Sequence, residues 1–220
     1  MTHTVRIVHK NWLTHDVMRL TIEKPESYSF TAGQAIEATI DHPRFRGEQA
    51  PFTLTSLNRD KFLELIIKVY TGHNGMTLAI SKLEEGDTLI ITDPWDSFIN
   101  RGPGVFIAGG TGITPFIAIL RQLQAEERLP GSLLILSNKT EKDIILYDEL
   151  SRMLGKSFIN ILTREKKENY MFGRIDLKCL KDHITDYNRP FYICGPGNFV
   201  IQIRNQLYEL GINKDLVNIG

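Results

Sequence analysis

Gly109-Gly110-Thr111-Gly112-Ile113-Thr114-Pro115 is the stretch whose residue types point most directly to chemistry. Glycines leave no Cβ between the main chain and a ligand, so successive N–H groups can close on a pyrophosphate. Four apolar residues, Val105-Phe106-Ile107-Ala108, precede the run and read as a strand buried on both faces. Phe116 to Leu123 follows with helical spacing, and the positive end of that helix would add to the pull on a phosphate. Thr114 is expected to cap the helix with its hydroxyl, and Pro115 suits a first turn whose N–H has no partner. Gly110-x-Gly112-x-x-Pro115 departs from the Gly-x-Gly-x-x-Gly dinucleotide fingerprint, so the flanking strand and helix carry much of the signal.

Other chemistries are disfavoured. Cys179 and Cys194 are the chain's two cysteines, and an iron–sulfur cluster takes four thiolates. Neither they nor His3, His9, His15, His42, His73 and His183 fall at metal-ligand spacings, so no metal site is expected. Electron transfer in this chain would need an organic cofactor.

The 220 residues are 42% apolar and 24% charged, with a net charge of +0, enough for two modest domains or one large one and without a nucleic-acid footprint. No stretch reads as a signal peptide, and no apolar run approaches the roughly 20 residues of a membrane helix. A cytoplasmic protein with no membrane partner is expected.

The elements that would position the glycine turn fall into two kinds. Residues 1–100 hold short alternating segments, Thr4–Val8, Val17–Ile22, Ala35–Ile40, Phe52–Thr55, Phe62–Val69 and Thr88–Thr92, separated by turn residues and by one helical patch, Met76–Leu83. They predict a six-stranded antiparallel barrel. Residues 101–220 follow the linker Asn100–Gly104 and alternate strands with helices, which predicts a parallel-sheet, Rossmann-like α/β domain. Strands are expected at Val105–Ala108, Ser132–Leu136, Phe158–Leu162 and Phe191–Cys194; helices at Pro115–Arg128, Ile145–Leu154, Leu177–His183 and Asn198–Leu210. Ligands of such sheets lie at the carboxyl ends of the strands, where the glycine turn, Ser137-Asn138-Lys139, Thr163-Arg164 and Cys194-Gly195-Pro196-Gly197 would converge.

With Gly-Gly-Thr-Gly-Ile-Thr-Pro in this setting, the chain resembles the ferredoxin–NADP reductase superfamily, which includes flavodoxin reductases and NAD(P)H:flavin reductases. Further motifs agree in order. Phe30-Thr31-Ala32-Gly33-Gln34 resembles the family's Phe-x-Pro-Gly-Gln turn, with Ala32 for proline. Ala50-Pro51-Phe52-Thr53-Leu54-Thr55-Ser56 resembles the Arg-x-Tyr-Ser-x-x-Ser flavin motif, and Gly75-Met76-Thr77 the turn that holds the flavin pyrophosphate. Cys194-Gly195-Pro196-Gly197 resembles the Cys-Gly-Pro turn of the nicotinamide pocket. The resemblance implies an FAD-binding barrel (residues 1–100) and an NAD(P)-binding domain (residues 101–220). It also implies hydride transfer from NADPH or NADH to FAD, then electron transfer to a separate acceptor such as flavodoxin or ferredoxin, or to a small molecule.

On that resemblance, Pro51, Phe52, Thr53, Ile67, Lys68, Gly75, Met76 and Thr77 face the flavin. Gly110, Thr111, Gly112, Ile113, Ser137, Asn138, Lys139, Arg164 and the Cys194–Gly197 turn face the nucleotide, and Thr53, Cys194 and Thr111 lie nearest the hydride path. Thr163-Arg164-Glu165 resembles the Ser-Arg-Glu element that grips a 2′-phosphate, which favours NADPH, and Lys139 and Tyr170 are further candidates there. Two departures stand out. Ala50 replaces the motif's phosphate-neutralising arginine, leaving Arg44, Arg46 or Lys68 to supply the charge. Leu216–Gly220 carries no aromatic residue, which predicts a flavin face that is open or covered by aliphatic side chains. Ala50 also keeps open a reductase that uses free flavin as substrate, and a non-catalytic electron-transfer or regulatory subunit is the reading from another class.

Overall fold

A computed structural model of the chain describes residues 1–72 and 74–220; His73, considered above for metal-ligand spacing, lies outside the described residues. The first half contains β1 (Thr2–Trp12), β2 (Val17–Glu23), β3 (Gln34–Thr39), β4 (Ala50–Thr53), β5 (Phe62–Lys68), helix α1 (Met76–Ser81), β6 (Thr88–Thr92) and the short β7 (Trp95–Asp96). Antiparallel pairing runs in the order β4-β3-β6-β1-β2-β5, with β7 on β3. The two ends of this path meet through a Leu54–Leu65 bridge and a Thr55 N–H donated to the Glu64 carbonyl at 2.9 Å, so the sheet nearly closes. Alternation builds its interior: Leu63, Leu65 and Ile67 of β5 join Leu20, Ile36, Leu89 and Ile91 in one buried cluster. This is the expected barrel; β7 is not among the six expected segments, and only its pairing with Gln34 and Ala35 makes it a strand.

The second half is a six-stranded parallel sheet in the order β11-β10-β9-β8-β12-β13. Its strands are β8 (Val105–Gly109), β9 (Leu133–Asn138), β10 (Phe158–Leu162), β11 (Met171–Phe172), β12 (Phe191–Cys194) and β13 (Val217–Ile219). The helices are α2 (Thr114–Ala125), α3 (Tyr147–Leu154), α4 (Leu177–His183) and α5 (Gly197–Glu209). Every residue of β8 is buried, as its unbroken apolar run requires. Phe106 and Ala108 pack with α2, whereas Val105 and Ile107 pack with residues of α4 and α5 on the opposite face. The strands β11 and β13, of two and three residues, went unread because so short a segment has no period of its own.

Several helix boundaries differ from expectation, α1 ending at Ser81 and α5 running from Gly197 to Glu209 among them. Thr114 does not cap α2: a 3-10 turn, Gly110–Ile113, runs directly into the helix, and no side chain caps it. Pro115 does sit in the first turn. The helix ends at Ala125 rather than Arg128 because Glu127 turns left-handed at φ 56°, and α3 begins at Tyr147 because Leu146 does the same at φ 53°.

The two halves share a core. Val17, Ala32, Ile66 and Phe98 of the barrel side belong to the same buried cluster as Phe106, Phe116 and Tyr192 of the sheet side. Phe98 meets Phe116 edge-on at 5.3 Å, and Phe106 stacks on Tyr192 at 4.4 Å. Among the described residues no helix is long and apolar enough to cross a membrane.

Candidate active-site cleft

A cleft of about 660 Å³ opens where the barrel meets the carboxyl ends of the parallel strands. The sheet contributes Gly109, Gly110, Thr111 and Gly112, Ser137-Asn138-Lys139, Thr163, and Cys194-Gly195-Pro196. The barrel contributes Val17, Lys68 and Tyr70. Strand order explains the position: β9 lies on one side of β8 and β12 on the other, so connections leave in opposite directions and open a crevice between them.

The glycines of the turn have different duties. Gly110 takes φ 56° with open space where a Cβ would be, so its main chain is accessible from the cleft. Gly112 instead packs on the facing turn, where a Cβ would lie 2.6 Å from the Cys194 carbonyl carbon and 2.7 Å from the Gly195 nitrogen. Its lack of a side chain thus serves close approach of two protein segments, not of a ligand. Ile113 is fully buried and has no side-chain access to the cleft.

The ends of β9 and β10 are pinned together. The Asn138 carbonyl accepts the Thr163 N–H at 2.9 Å and its hydroxyl at 3.2 Å, and the Lys139 carbonyl accepts the Arg164 N–H at 2.9 Å. These bonds hold the Arg164 backbone while its side chain stays exposed. The Tyr170 hydroxyl donates to Glu141 at 2.9 Å, Lys167 pairs with the same carboxylate, and Glu165 accepts the Glu141 N–H at 2.8 Å. Tyr170 is therefore already engaged beside the site.

On the barrel side, Pro51 is exposed and Phe52 and Thr53 are half-buried at the end of β4. Ile67 and Met76 turn their side chains into the barrel core, which leaves only their main chains for a ligand. No side chain caps α1 at Gly75, and the Thr77 hydroxyl accepts the Tyr70 N–H at 3.3 Å, tying this turn to the end of β5. A groove of about 300 Å³ runs past Gly75, lined in part by His42, Arg44 and Phe45.

Of the three cations offered in place of the motif arginine, Lys68 is taken. Its ammonium lies 2.5 Å from Asp16, which it holds below the usual carboxylate range against the opposing effect of burial. Arg46 is exposed outside both pockets. Arg44 donates to the Asn74 carbonyl at 2.9 Å and lies over the Phe45 ring, beside the uncapped start of α1. An uncapped helix start with a guanidinium next to it suits a diphosphate, which is the fit FAD requires.

Asp16, Tyr70, Asp143 and Phe199 also line the cleft and were missed from sequence. Phe199 had a readable signal, since it falls in the first turn of α5, three residues after Pro196, and a Cβ on Gly109 would touch its ring at 3.3 Å. Asp16 and Asp143 had none, being brought together across the two halves with His15 between them. Gly197 begins α5 outside the cleft lining. The segment Val217–Ile219 pairs with β12, and the aromatic rings in the cleft lining are those of Tyr70 and Phe199.

Burial pushes the thiols of Cys194 and Cys179 up to about 11, opposed in Cys194 by the Gly195 backbone hydrogen bond and reinforced in Cys179 by Asp176 and Asp182. Cys194 therefore faces the cleft as a neutral thiol at physiological pH, not as a nucleophile. Because the folded values lie above the unfolded reference of 9.0, folding favours the protonated thiols. Their stabilisation is complete below pH 9 and is lost as pH rises toward 11. Urea unfolding is expected to show this loss in the native chain and a flatter profile in the Cys179→Ala, Cys194→Ser double variant; equal slopes would contradict it.

The sequence matches an FAD-binding domain model over residues 2–88 and an oxidoreductase NAD-binding domain model over residues 106–205. It is 26% identical to the reductase component of propane 2-monooxygenase from Mycolicibacterium smegmatis, over 85% of this chain and 58% of that one. It is 27% identical to NADH-cytochrome b5 reductase 1 of Aspergillus terreus, over 93% of this chain and 76% of that one. The chain thus spans little more than half of the first relative's length and about three quarters of the second's. A ferredoxin NADP+ reductase from Neisseria gonorrhoeae, solved with bound FAD and NADP, superposes with a TM-score of 0.86 at 21% identity, covering 100% of this chain and 98% of that one. Fold and domain matches together define an FAD- and NAD(P)-binding oxidoreductase. The chain thus carries those two domains in sequence, and its fold is the one seen in the ferredoxin NADP+ reductase.

Proposed function

We propose that this chain oxidises NADPH, in preference to NADH, at a flavin held by the barrel and delivers the electrons to a separate acceptor. The observation that carries the reading is the single cleft joining the glycine turn and the Cys194 turn to the barrel residues Lys68 and Tyr70. FAD, when bound, supplies the chemistry, accepting hydride from the nicotinamide and releasing electrons to the acceptor. The protein's residues supply position and a dry setting. Residues 1–100 hold the flavin: Phe52 presents its ring, the Thr53 hydroxyl a hydrogen-bond donor, and Gly75 to Thr77 their N–H groups. Residues 101–220 hold the nucleotide: Gly110 and Thr111 lie under its pyrophosphate, with Cys194 to Gly197 around the nicotinamide. Ser137, Asn138, Lys139 and Arg164 border the adenosine. Thr53, Thr111 and Cys194 are the side chains assigned nearest the hydride path, and pre-positioning of the two rings is the main contribution to rate.

The relatives' names widen the range of acceptors, since one is a cytochrome b5 reductase and another the reductase component of a monooxygenase. The acceptor is accordingly proposed as a redox protein or oxygenase component, with flavodoxin and ferredoxin as members of that class. Anaerobic titration of the FAD-loaded chain with NADPH is expected to bleach the flavin band, and ferricyanide to turn over with NADPH. A flavin band untouched by either nucleotide would leave only a binding module or regulatory subunit. FAD that is lost during purification and turned over when added free would instead indicate a flavin substrate.

The nucleotide preference rests on the exposed Arg164 guanidinium, a fork suited to a 2′-phosphate. Arg164→Ala is expected to raise KM for NADPH roughly tenfold, the scale of one charge-assisted contact, and to leave KM for NADH nearly unchanged. Equal changes for both would reverse the assignment.

A further inference from the structure

Arg121 lies on α2, the helix that continues the glycine turn, yet its side chain reaches out to the barrel. Its Nε and Nη2 donate to the two carboxylate oxygens of Glu149 on α3, at 2.6 and 2.9 Å. Its Nη1 donates to Glu64 Oε1 on β5 at 2.7 Å and to the Thr55 carbonyl at 2.8 Å. The Thr55 hydroxyl donates to the same Glu64 oxygen at 2.8 Å. Side chains of Arg121 and Glu64 are only 19% and 18% exposed, so water screens the contact weakly. Burial works against the guanidinium's charge, and the two carboxylates outweigh it, raising its pKa.

The location matters as much as the strength. Thr55 lies two residues beyond Thr53, and α2 carries the glycine turn at its other end. One planar group therefore spans from the strand end with Phe52 and Thr53 to the helix behind the nucleotide turn. A fork with several fixed donors restrains angle as well as distance, which an apolar contact or a lysine does not. We propose that Arg121 is a positioning residue, setting the orientation of the nucleotide turn relative to the Phe52-Thr53 strand and hence the alignment of nicotinamide on flavin. The proposal rests on the reading of the cleft given above.

The test uses Arg121→Met, Arg121→Lys and, from the barrel side, Glu64→Gln, each in the full chain. Four quantities are measured: FAD affinity, nucleotide affinity, the limiting rate of flavin reduction, and the long-wavelength absorbance that reports stacking of the two rings. Arg121→Met is expected to slow reduction about tenfold or more and to lose that absorbance, with FAD affinity within about twofold. Arg121→Lys should recover part of the rate, and Glu64→Gln should fall between. In the protein without cofactor, hydrogen exchange over Thr53–Ser56 and α2 should rise in Arg121→Met. An unchanged rate and absorbance in Arg121→Met overturns the role, as does a loss of fold or FAD binding in both Arg121→Met and Glu64→Gln, which would make the cluster purely structural. A native chain whose flavin neither nucleotide reduces overturns the functional reading and this role together, whereas a reducible native chain with an unaffected variant overturns this role alone.

Discussion

Replacing Gly112 by alanine is expected to slow flavin reduction about 100-fold while leaving FAD affinity close to native. The added Cβ would lie 2.6 Å from the Cys194 carbonyl carbon and 2.7 Å from the Gly195 nitrogen, well inside van der Waals contact. Both neighbours are main chain, so neither can rotate away. Relief must come from parting β8 from β12, whose pairing runs up to Ala108–Cys194. That parting moves the glycine turn and the Cys194 turn in opposite directions, and a shift near 1 Å at the reacting groups is enough for the stated loss. Overpacking of this kind also costs about 1–3 kcal/mol of stability. Stopped-flow reduction under anaerobic conditions with a parallel urea titration checks both. Gly110→Ala is the control, since the space beside Gly110 is open and only its φ of 56° opposes a side chain. Equal losses at the two positions would sink the packing explanation.

The second large effect is expected at Arg44. Arg44→Ala should weaken FAD binding roughly 10- to 100-fold, the range for a hydrogen bond to a charged group. Its guanidinium is the cation beside the uncapped Gly75 turn, where the resemblance puts the flavin diphosphate and where Ala50 supplies no charge. Lys68→Ala should behave differently, because its ammonium is matched by Asp16 and contributes little net charge. Flavin fluorescence on dilution measures both. Arg44→Lys should recover part of the affinity, keeping the charge but losing the fork. Full retention of FAD by Arg44→Ala would return the phosphate charge to Arg46 or to main-chain N–H groups alone.

Much of this protein was written locally. The fully apolar Val105–Ala108 dictates a strand covered on both sides, and the alternation around Glu64 in β5 turns Leu63, Leu65 and Ile67 to the barrel interior, while Ile66 on the other face is buried in the core shared with the sheet. The glycine turn, the Phe52-Thr53 strand and the Cys194-Gly195-Pro196 turn could be recognised because each is contiguous, with its chemistry carried by main-chain geometry or adjacent residues. Helix ends were less legible, since the left-handed φ of Glu127 and Leu146 has no glycine to announce it. Nor could a strand as short as Met171–Phe172 show a period of its own.

What only the tertiary structure decided is every relation between distant segments. Gly112 looked like a residue kept small for a ligand, and folding showed it kept small for the Cys194 carbonyl. Lys68 and Arg44 were equivalent as cations in the chain; a carboxylate 52 positions away neutralises one and leaves the other beside the helix start. Arg121 carries no local signal of its own; β5 and α3 bring Glu64 and Glu149 to it. Local sequence sets backbone conformation and the apolar face of each element, because those depend on neighbours within a turn or two. Electrostatic partners and steric contacts depend on distances through space, which exist only once the barrel and the sheet have packed on their shared core.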